Sequence, residues 1–287
     1  MKKMKKNDLV VFILSHGRAD NLVTLNMIKS HGYTGDYKIV LDNEDESIHE
    51  YEKKFGKDNI IVFDKLAISK TFDTADNFDN RKTIVYARNA CFDLAKKLGY
   101  KYFMELDDDY NAMMFRYIKD GKLVQQKITN MDEVLRYMVE FLEHGNIDTI
   151  AMAQGGDFIG GVDSGNFRKG LLRKAMNTFI FKTDSKMRFI GRINEDVNLY
   201  THLGSLGSKI FTITDIMINQ AQTQSNTGGM TDVYLDSGTY LKSFYTVMFQ
   251  PSSVWVSQMG STHTRLHHHV SWNNTVPKVI NPDWKKV

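Results

Sequence analysis

One pattern in the N-terminal third limits the fold more than any other. Four short apolar runs, at residues 9–14, 37–41, 59–63 and 100–106, each lead straight into a polar or acidic group: Ser15, Asp42, Asp64 and Asp107. Between them lie stretches of helical spacing. Leu22, Leu25, Ile28 and Lys29 precede a stop at Gly32, an acidic helix follows residue 42, and a helix over 81–97 closes at Gly99. Strand-length apolar runs alternating with amphipathic helices predict βαβ units. The fold class expected is α/β. In open sheets of this kind ligands bind beyond the carboxyl ends of the strands, so residues 1–110 read as a nucleotide-binding half.

The remainder is less regular. Helices are expected near 131–143, 195–203 and 234–249, and strands near 149–153, 178–182, 209–214 and 253–257. No repeat, low-complexity stretch or linker interrupts them, so a single domain over 1–287 with a mixed sheet is expected. The first strand's apolar run is six residues, Leu9–Leu14. That is too short to span a bilayer and shorter than a secretory signal core. One cysteine, Cys91, leaves no intrachain disulfide framework and no Cys-rich metal site. A reducing compartment, the cytoplasm, is the expected location, with no membrane and no obligate protein partner.

The net charge of +3 is mild, but it is unevenly spread. Residues 36–80 carry twelve acids against six lysines, while residues 166–192 carry eight Lys/Arg against Asp184 alone. A positive stretch of this kind can meet phosphates, or it can be a solvated helix and loop surface.

The sharpest chemical signal is the run Asp107, Asp108 and Asp109 at the end of an apolar strand. Extended side chains alternate, so Asp107 and Asp109 share a face and Asp108 points elsewhere. Two carboxylates at a strand tip suit a hard divalent cation, with phosphate oxygens filling other positions. A solvated turn would look the same.

At these residues the chain resembles a family. A helix beginning Val85, Tyr86, Ala87, Arg88, Asn89 runs through Ala95 and Gly99 into the strand tipped by Asp107 and Asp109. It is similar to the core of GT-A glycosyltransferases. The strand ending at Asp42 resembles their second strand, whose terminal Asp contacts the nucleotide base. Asn194, Glu195 and Asp196, opening a later helix, resemble the acidic pair near the acceptor. The resemblance covers roughly residues 8–215. It implies a GT-A-like mixed sheet with a Rossmann-like N-terminal half, and an acceptor-binding half over 111–287.

More narrowly, residues 13–21 and 153–156 and the late His-rich segment resemble phage enzymes that glycosylate hydroxymethylated pyrimidines in DNA, relatives of the TET/JBP-associated glycosyltransferases. The resemblance implies a nucleotide-sugar donor such as a UDP-sugar, Mn²⁺ or Mg²⁺, and 5-hydroxymethylcytosine in DNA as acceptor.

Within that scheme Asp107 and Asp109 are candidate metal ligands, with His269 or His267 as a third. The alternative for the histidines is a surface or hydrogen-bonded cluster. Ser15, His16 and Gly17 form a strand-to-helix turn that a nucleotide can approach closely. Arg18 and Arg88 are candidate diphosphate or base contacts, since guanidinium forks match phosphate oxygens, with a structural salt bridge as the alternative for each. Asp42, Asp108, Gly155 and Gly156 complete the donor set, the glycines lining a loop near the sugar or belonging to a mobile lid.

Asp196 is the candidate general base if the reaction inverts, with Glu195 positioning donor or acceptor. If it retains, the departing phosphate takes that role and the pair only binds sugar. An ordinary helix N-terminus capped by Asn194 would have the same sequence. Residues 221–232 are expected to form a loop over the site, and Phe158, Phe167 and Trp272 to offer stacking surfaces for an extruded base.

Two other enzyme readings remain: transfer to a glycan or small acceptor, and a sugar-phosphate nucleotidyltransferase. The latter would need a Gly-rich, Arg-containing loop after the first strand, and residues 15–18 are too short and Gly-poor for it. A DNA-binding module with a degenerate site is the non-enzymatic reading, and intact Asp107, Asp109 and Asp196 argue against it.

Overall fold

The computed structural model describes residues 8–76, 81–220, 240–259 and 265–277. Its centre is a nine-stranded mixed sheet. The N-terminal strands β1 (Leu9–Leu14), β2 (Asp36–Asp42), β3 (Ile60–Phe63) and β4 (Tyr102–Asp107) are mutually parallel, in the order β3-β2-β1-β4. Every residue of β1 is buried. A parallel strand covered on both faces reads as an unbroken apolar run, which is why the pattern was so plain.

From β4 the sheet continues as β8 (Phe179–Lys182), β7 (Thr149–Gln154), β9 (Ile210–Gln220), β5 (Tyr110–Lys119) and β6 (Lys122–Lys127). Strand β8 is antiparallel to both neighbours and β7 is parallel to β9. Helices α1 (Val23–Ser30) and α5 (Met131–His144) cover one face, packing Leu25, Ile28, Leu135 and Met138 on Val11 and Met104. Helix α4 (Val85–Leu98) covers the other, and there Phe92, Phe103 and Phe181 form a triangle of rings with centroids 4.9–5.4 Å apart. Burying such rings stabilises by about 1.5–3 kcal/mol each.

The expected α/β class and mixed sheet are borne out. Several elements were not foreseen. β5 and β6 form a hairpin whose turn, Asp120-Gly121, has both φ angles positive, 51° and 72°. That is the two-residue turn Asp-Gly favours. β9 runs to Gln220, beyond the expected 214, because its second half pairs with β5. A short helix, α3 (Lys65–Ser69), capped by Asp64, was also unforeseen, as was α6 (Gly165–Lys169). Among the expected helices are α2 (Ile48–Phe55), the acidic helix after residue 42, α7 (Glu195–Ser205) and α8 (Tyr240–Phe249). β10 (Val254–Met259) and β11 (Arg265–Val270) form a separate antiparallel pair. The expected helix over 234–249 is seen from Tyr240 onward, since residues 221–239, and with them the expected loop over 221–232, lie outside the described residues.

Chain order sets the site. From β1 the chain moves outward to β2 and β3, then α4 returns it to the other side of β1 as β4. Neighbouring parallel strands whose connections leave in opposite directions open a crevice at their carboxyl ends. Ser15 and Asp107 flank that crevice.

Candidate active site

The turn after β1 and the tip of β4 are joined by a polar chain. The Arg18 N–H donates to Tyr51 Oη (2.7 Å), Tyr51 is paired with Ser15 Oγ (2.7 Å), and Ser15 donates to Asp108 Oδ2 (2.5 Å). Arg18 Nη1 reaches the other oxygen, Asp108 Oδ1, at 2.8 Å. Asp108 thus faces inward, and burial raises its carboxyl above the usual range despite Arg18. Burial also pushes the Tyr51 phenol up to about 12, so it stays protonated. Gly17 has φ +66°, and nothing lies within 4 Å of where its Cβ would stand. The space over Gly17 is open, while its N–H is given to Asp45 Oδ2 at 2.8 Å.

At the end of β2, Asp42 Oδ2 is 2.8 Å from His16 Nδ1 and 3.2 Å from Lys65 Nζ. Burial opposes its ionisation, but the His16 and Lys65 contacts prevail and hold the carboxyl below the ordinary range. The hydrogen bond to Asp42 raises His16 in turn. His16 keeps about half of its side chain exposed beside the crevice (52%).

Asp107 and Asp109 stand together. Asp107 Oδ1 accepts from Arg88 Nη2 at 2.9 Å, and Asp109 Oδ2 accepts from Gln220 Nε2 at 3.2 Å. Asp109 Oδ1 is buried with no hydrogen-bond partner. Burial, then the charge of Asp107, pushes Asp109 up to about 6. An orphaned carboxylate oxygen beside a second carboxylate is costly unless a cation completes it. These two residues therefore fit a divalent ion.

Arg88 is not at the surface of this crevice. It lies beneath it, 1% exposed, with Nε 3.1 Å from Glu195 Oε1, Nη2 on Asp107, and Nη1 3.5 Å from Glu105 Oε2. Its charge also sits over Phe179 and Phe189, 5.2 and 5.8 Å from the ring centres. Of the two expected roles, the salt bridge describes this placement. Glu105, an unremarked residue within an apolar strand, is fully buried and pushed up to about 8 by that burial.

Helix α7 brings in the late acidic pair. Burial raises both Glu195 and Asp196, the former also through Asp196, while Lys242 opposes the rise at Asp196. Asp196 accepts from the Val197 N–H at 2.8 Å. Asn194 departs from the expected cap. It takes φ 58° and makes no side-chain cap bond, and its amide instead donates to Lys242 O at 2.9 Å.

The histidines are arranged differently from expectation. His267 and His269 lie on β11 opposite Ser257 and Trp255, with His269 stacked on Trp255 at 5.8 Å. Among the described residues no three His, Cys, Asp or Glu side chains converge for a metal, so neither histidine joins Asp107 and Asp109 there. The strand alternates, and it is His268 that turns to α7, its Nδ1 3.3 Å from Asn194 Nδ2. Burial pushes His268 down to about 3, leaving it neutral.

Gly155 and Gly156 follow β7 at the same edge of the sheet, and a Cβ on either would meet nothing within 4 Å. Phe158 and Phe167 pack on each other at 6.0 Å, and Trp272 stacks on Tyr200 at 5.6 Å, so these rings have partners within the fold. The basic run 166–192 does not form one patch. Lys174 pairs with Asp157 and Arg192 with Asp76. Lys182, Lys186 and Arg188 line a surface cleft of about 930 Å³ at the opposite edge of the sheet, beside Tyr100 and Tyr102. None of the crevice residues reaches that cleft.

A doubly wound sheet with an acidic tip at its switch point defines a nucleotide-binding α/β protein. The TET-associated glycosyltransferase model matches residues 9–229, and the chain belongs to that family of enzymes. No curated protein matches it. Among solved structures it is similar to TarS of S. aureus, at 12% identity over 73% of this chain with a TM-score of 0.41. It is also similar to the mannosyltransferase PcManGT of Pyrobaculum calidifontis in complex with GDP-Man and Mn²⁺, at 10% over 76% with 0.44. A third is glucosyl-3-phosphoglycerate synthase of Mycobacterium tuberculosis with Mg²⁺ and UDP, at 7% identity over 92% of this chain and 86% of that one, with 0.47. The chain spans 59% of the solved TarS 1-349 chain and 58% of the solved PcManGT chain. Among the described residues no helix is long and apolar enough to cross a membrane.

Proposed function

We propose that the protein transfers a sugar from a nucleoside diphosphate sugar, a UDP-sugar, to the hydroxyl of 5-hydroxymethylcytosine in DNA. The observation that carries the donor half of this reading is the buried, unpartnered Oδ1 of Asp109 beside Asp107 at the switch point. The acceptor half is supported by the family description.

Residues 1–110 hold the donor. The open turn at Gly17 and the half-exposed His16 edge the crevice between β1 and β4, where the nucleoside lies. Asp107 and Asp109 would hold Mn²⁺ or Mg²⁺, whose oxygen preference suits carboxylates and which, when bound, would neutralise charge developing on the departing diphosphate. Arg18, already on Asp108, adds a fixed positive charge beside the same tip. Gly155 and Gly156 leave room for the sugar.

Residues 111–287 supply the acceptor side. In an inverting transfer, as the acceptor oxygen bonds to the sugar carbon, that carbon's bond to the diphosphate oxygen breaks, the nucleoside diphosphate leaves, and the acceptor's proton passes to the Asp196 carboxylate. A burial-raised carboxyl is a better base than an exposed one. Glu195, held by Arg88, orients the sugar or acceptor. With DNA as acceptor the base leaves the stack to reach this pair.

The test is incubation with Mn²⁺, a panel of nucleotide sugars, and DNA bearing either cytosine or hydroxymethylcytosine, followed by mass measurement of the digested nucleosides. A sugar-mass gain confined to hydroxymethylated DNA is the expected result. Gain on a glycan or small acceptor instead overturns the acceptor assignment.

A further inference from the structure

Arg88 is the most unusual charge in the molecule. Its guanidinium is 1% exposed, and each of its nitrogens faces a different carboxylate. Two of those acids come from β4 and one from α7. Their exposures differ in a telling way: Glu105 is 0% exposed, whereas Asp107 and Glu195 keep 16% and 13%. A purely structural ion pair would bury its partners with it. Here the cation and Glu105 are covered, while the other two acids keep part of their surface. The Phe179 and Phe189 rings close the remaining sides.

We infer that Arg88 is a positioning residue that couples the two halves of the site, its single rigid fork holding both the Asp107 tip and the Glu195 end of α7. This rests on the donor reading above. A planar guanidinium keeps its N–H directions fixed relative to one another, so a shift in the carboxylate on Nη2 is passed to the carboxylate on Nε. Filling the donor tip then orders the start of α7, where the acceptor pair stands. A lysine cannot substitute, because one ammonium nitrogen does not span carboxylates bound at opposite ends of a fork. Glu105 sets the depth of the fork, since without it Nη1 faces apolar surroundings.

The test follows amide hydrogen exchange with and without UDP and Mn²⁺. In the wild type, both the β4 tip and α7 should gain protection when the two are added. In Arg88→Lys the tip should still respond while α7 does not. Turnover should fall about tenfold or more with the donor KM within about threefold, because one step of 1.4 kcal/mol corresponds to a factor of ten. Should Arg88→Lys fail to fold, Glu195→Ala cuts the same bridge at its far end and should give the same split response. Equal protection of α7 in wild type and variant overturns the inference, as does a wild type whose tip responds while α7 does not. A wild type in which neither segment responds overturns the donor reading, and this inference with it.

Discussion

Ser15 and Asp108 stand 93 residues apart in the chain and 2.5 Å apart in the fold. That contact ties the turn after β1 to the tip of β4 and removes the middle carboxylate of the acidic run from the crevice. With Asp108 committed to Ser15 and Arg18, Asp107 and Asp109 are left to face a ligand. Asp108→Ala removes the acceptor for both donors at a buried position, which costs about 1–3 kcal/mol. Urea unfolding should show that loss, together with weaker binding of UDP in Mn²⁺. Unchanged stability would mean that the chain from Arg18 to Asp108 does not hold the turn.

Asp109 carries the orphaned oxygen, so its charge matters more to ligand than to fold. Asp109→Asn should leave the melting temperature within a few degrees and reduce Mn²⁺-dependent UDP affinity by roughly tenfold, with turnover down by roughly 10²-fold. The carboxyl is pushed up to about 6, so its charged form is complete only above that pH. Binding of UDP with Mn²⁺ should therefore weaken as pH falls through about 6, and calorimetric titration across pH 5 to 8 checks this. A flat profile would place the ion elsewhere.

The acceptor pair should separate by role. Asp196→Asn removes the proposed base while keeping the shape of the side chain and its bond from the Val197 N–H. Turnover should drop by roughly 10²–10⁴-fold, with UDP affinity nearly unchanged. Glu195→Gln keeps an oxygen for Arg88 and should cost less. Equal, small losses in both would favour a retaining course in which the departing phosphate takes the proton.

Two glycines with positive φ should respond differently. At Gly191, φ is +80° and an added Cβ would stand 2.3 Å from Asn198 Nδ2 and 2.7 Å from the Phe249 ring. Gly191→Ala combines backbone strain of about 1–2 kcal/mol with overpacking of about 1–3 kcal/mol. It should loosen the segment that leads into α7. Gly17→Ala bears only the strain, and its main effect should be on nucleotide affinity. Paired thermal melts and UDP titrations distinguish the two.

Much of this architecture was legible because the N-terminal strands are buried on both faces. Leu9–Leu14 stood out as a continuous apolar run, and the helices between strands carried their own stops. The hairpin of β5 and β6 was not. Its strands are partly exposed and mix Arg, Lys and Gln with apolar residues, and only the Asp120-Gly121 turn marked it. At the site the acidic run is not extended as expected: Asp107 closes β4, while Asp108 and Asp109 form the turn into β5, and that turn carries Asp108 to Ser15 and Arg18. The partners of Arg88 were beyond reach, because Glu105, Asp107 and Glu195 lie 17, 19 and 107 residues away, and only the packing of α4 and α7 on β4 brings them to one guanidinium. The basic run 166–192 failed as a patch for a related reason: sequence proximity does not keep side chains on one side of a chain that turns through α6 and β8.

His31 gives a stability prediction free of the active site. The imidazole is 1% exposed between α1 and β5. Its Nδ1 lies 2.8 Å from Met27 O and its Nε2 accepts the Met113 N–H at 3.0 Å. That pairing requires a proton on Nδ1 and none on Nε2, since a second proton would point at an N–H group. Burial, with the charge of Lys127, accordingly holds His31 below its ordinary value, although the bond to Met27 pulls the other way. For a histidine lowered in the folded state, the unfolded chain binds more protons once the pH drops below about 6.5, so stability is full above that pH and falls with acidification. The wild-type melting temperature should decline as pH is lowered from 7 toward 5. His31→Gln offers a donor and an acceptor but does not titrate. It should start lower, having lost the fit of the ring, and decline less steeply over the same window. Parallel slopes for the two proteins would show that acid destabilises the fold through other groups.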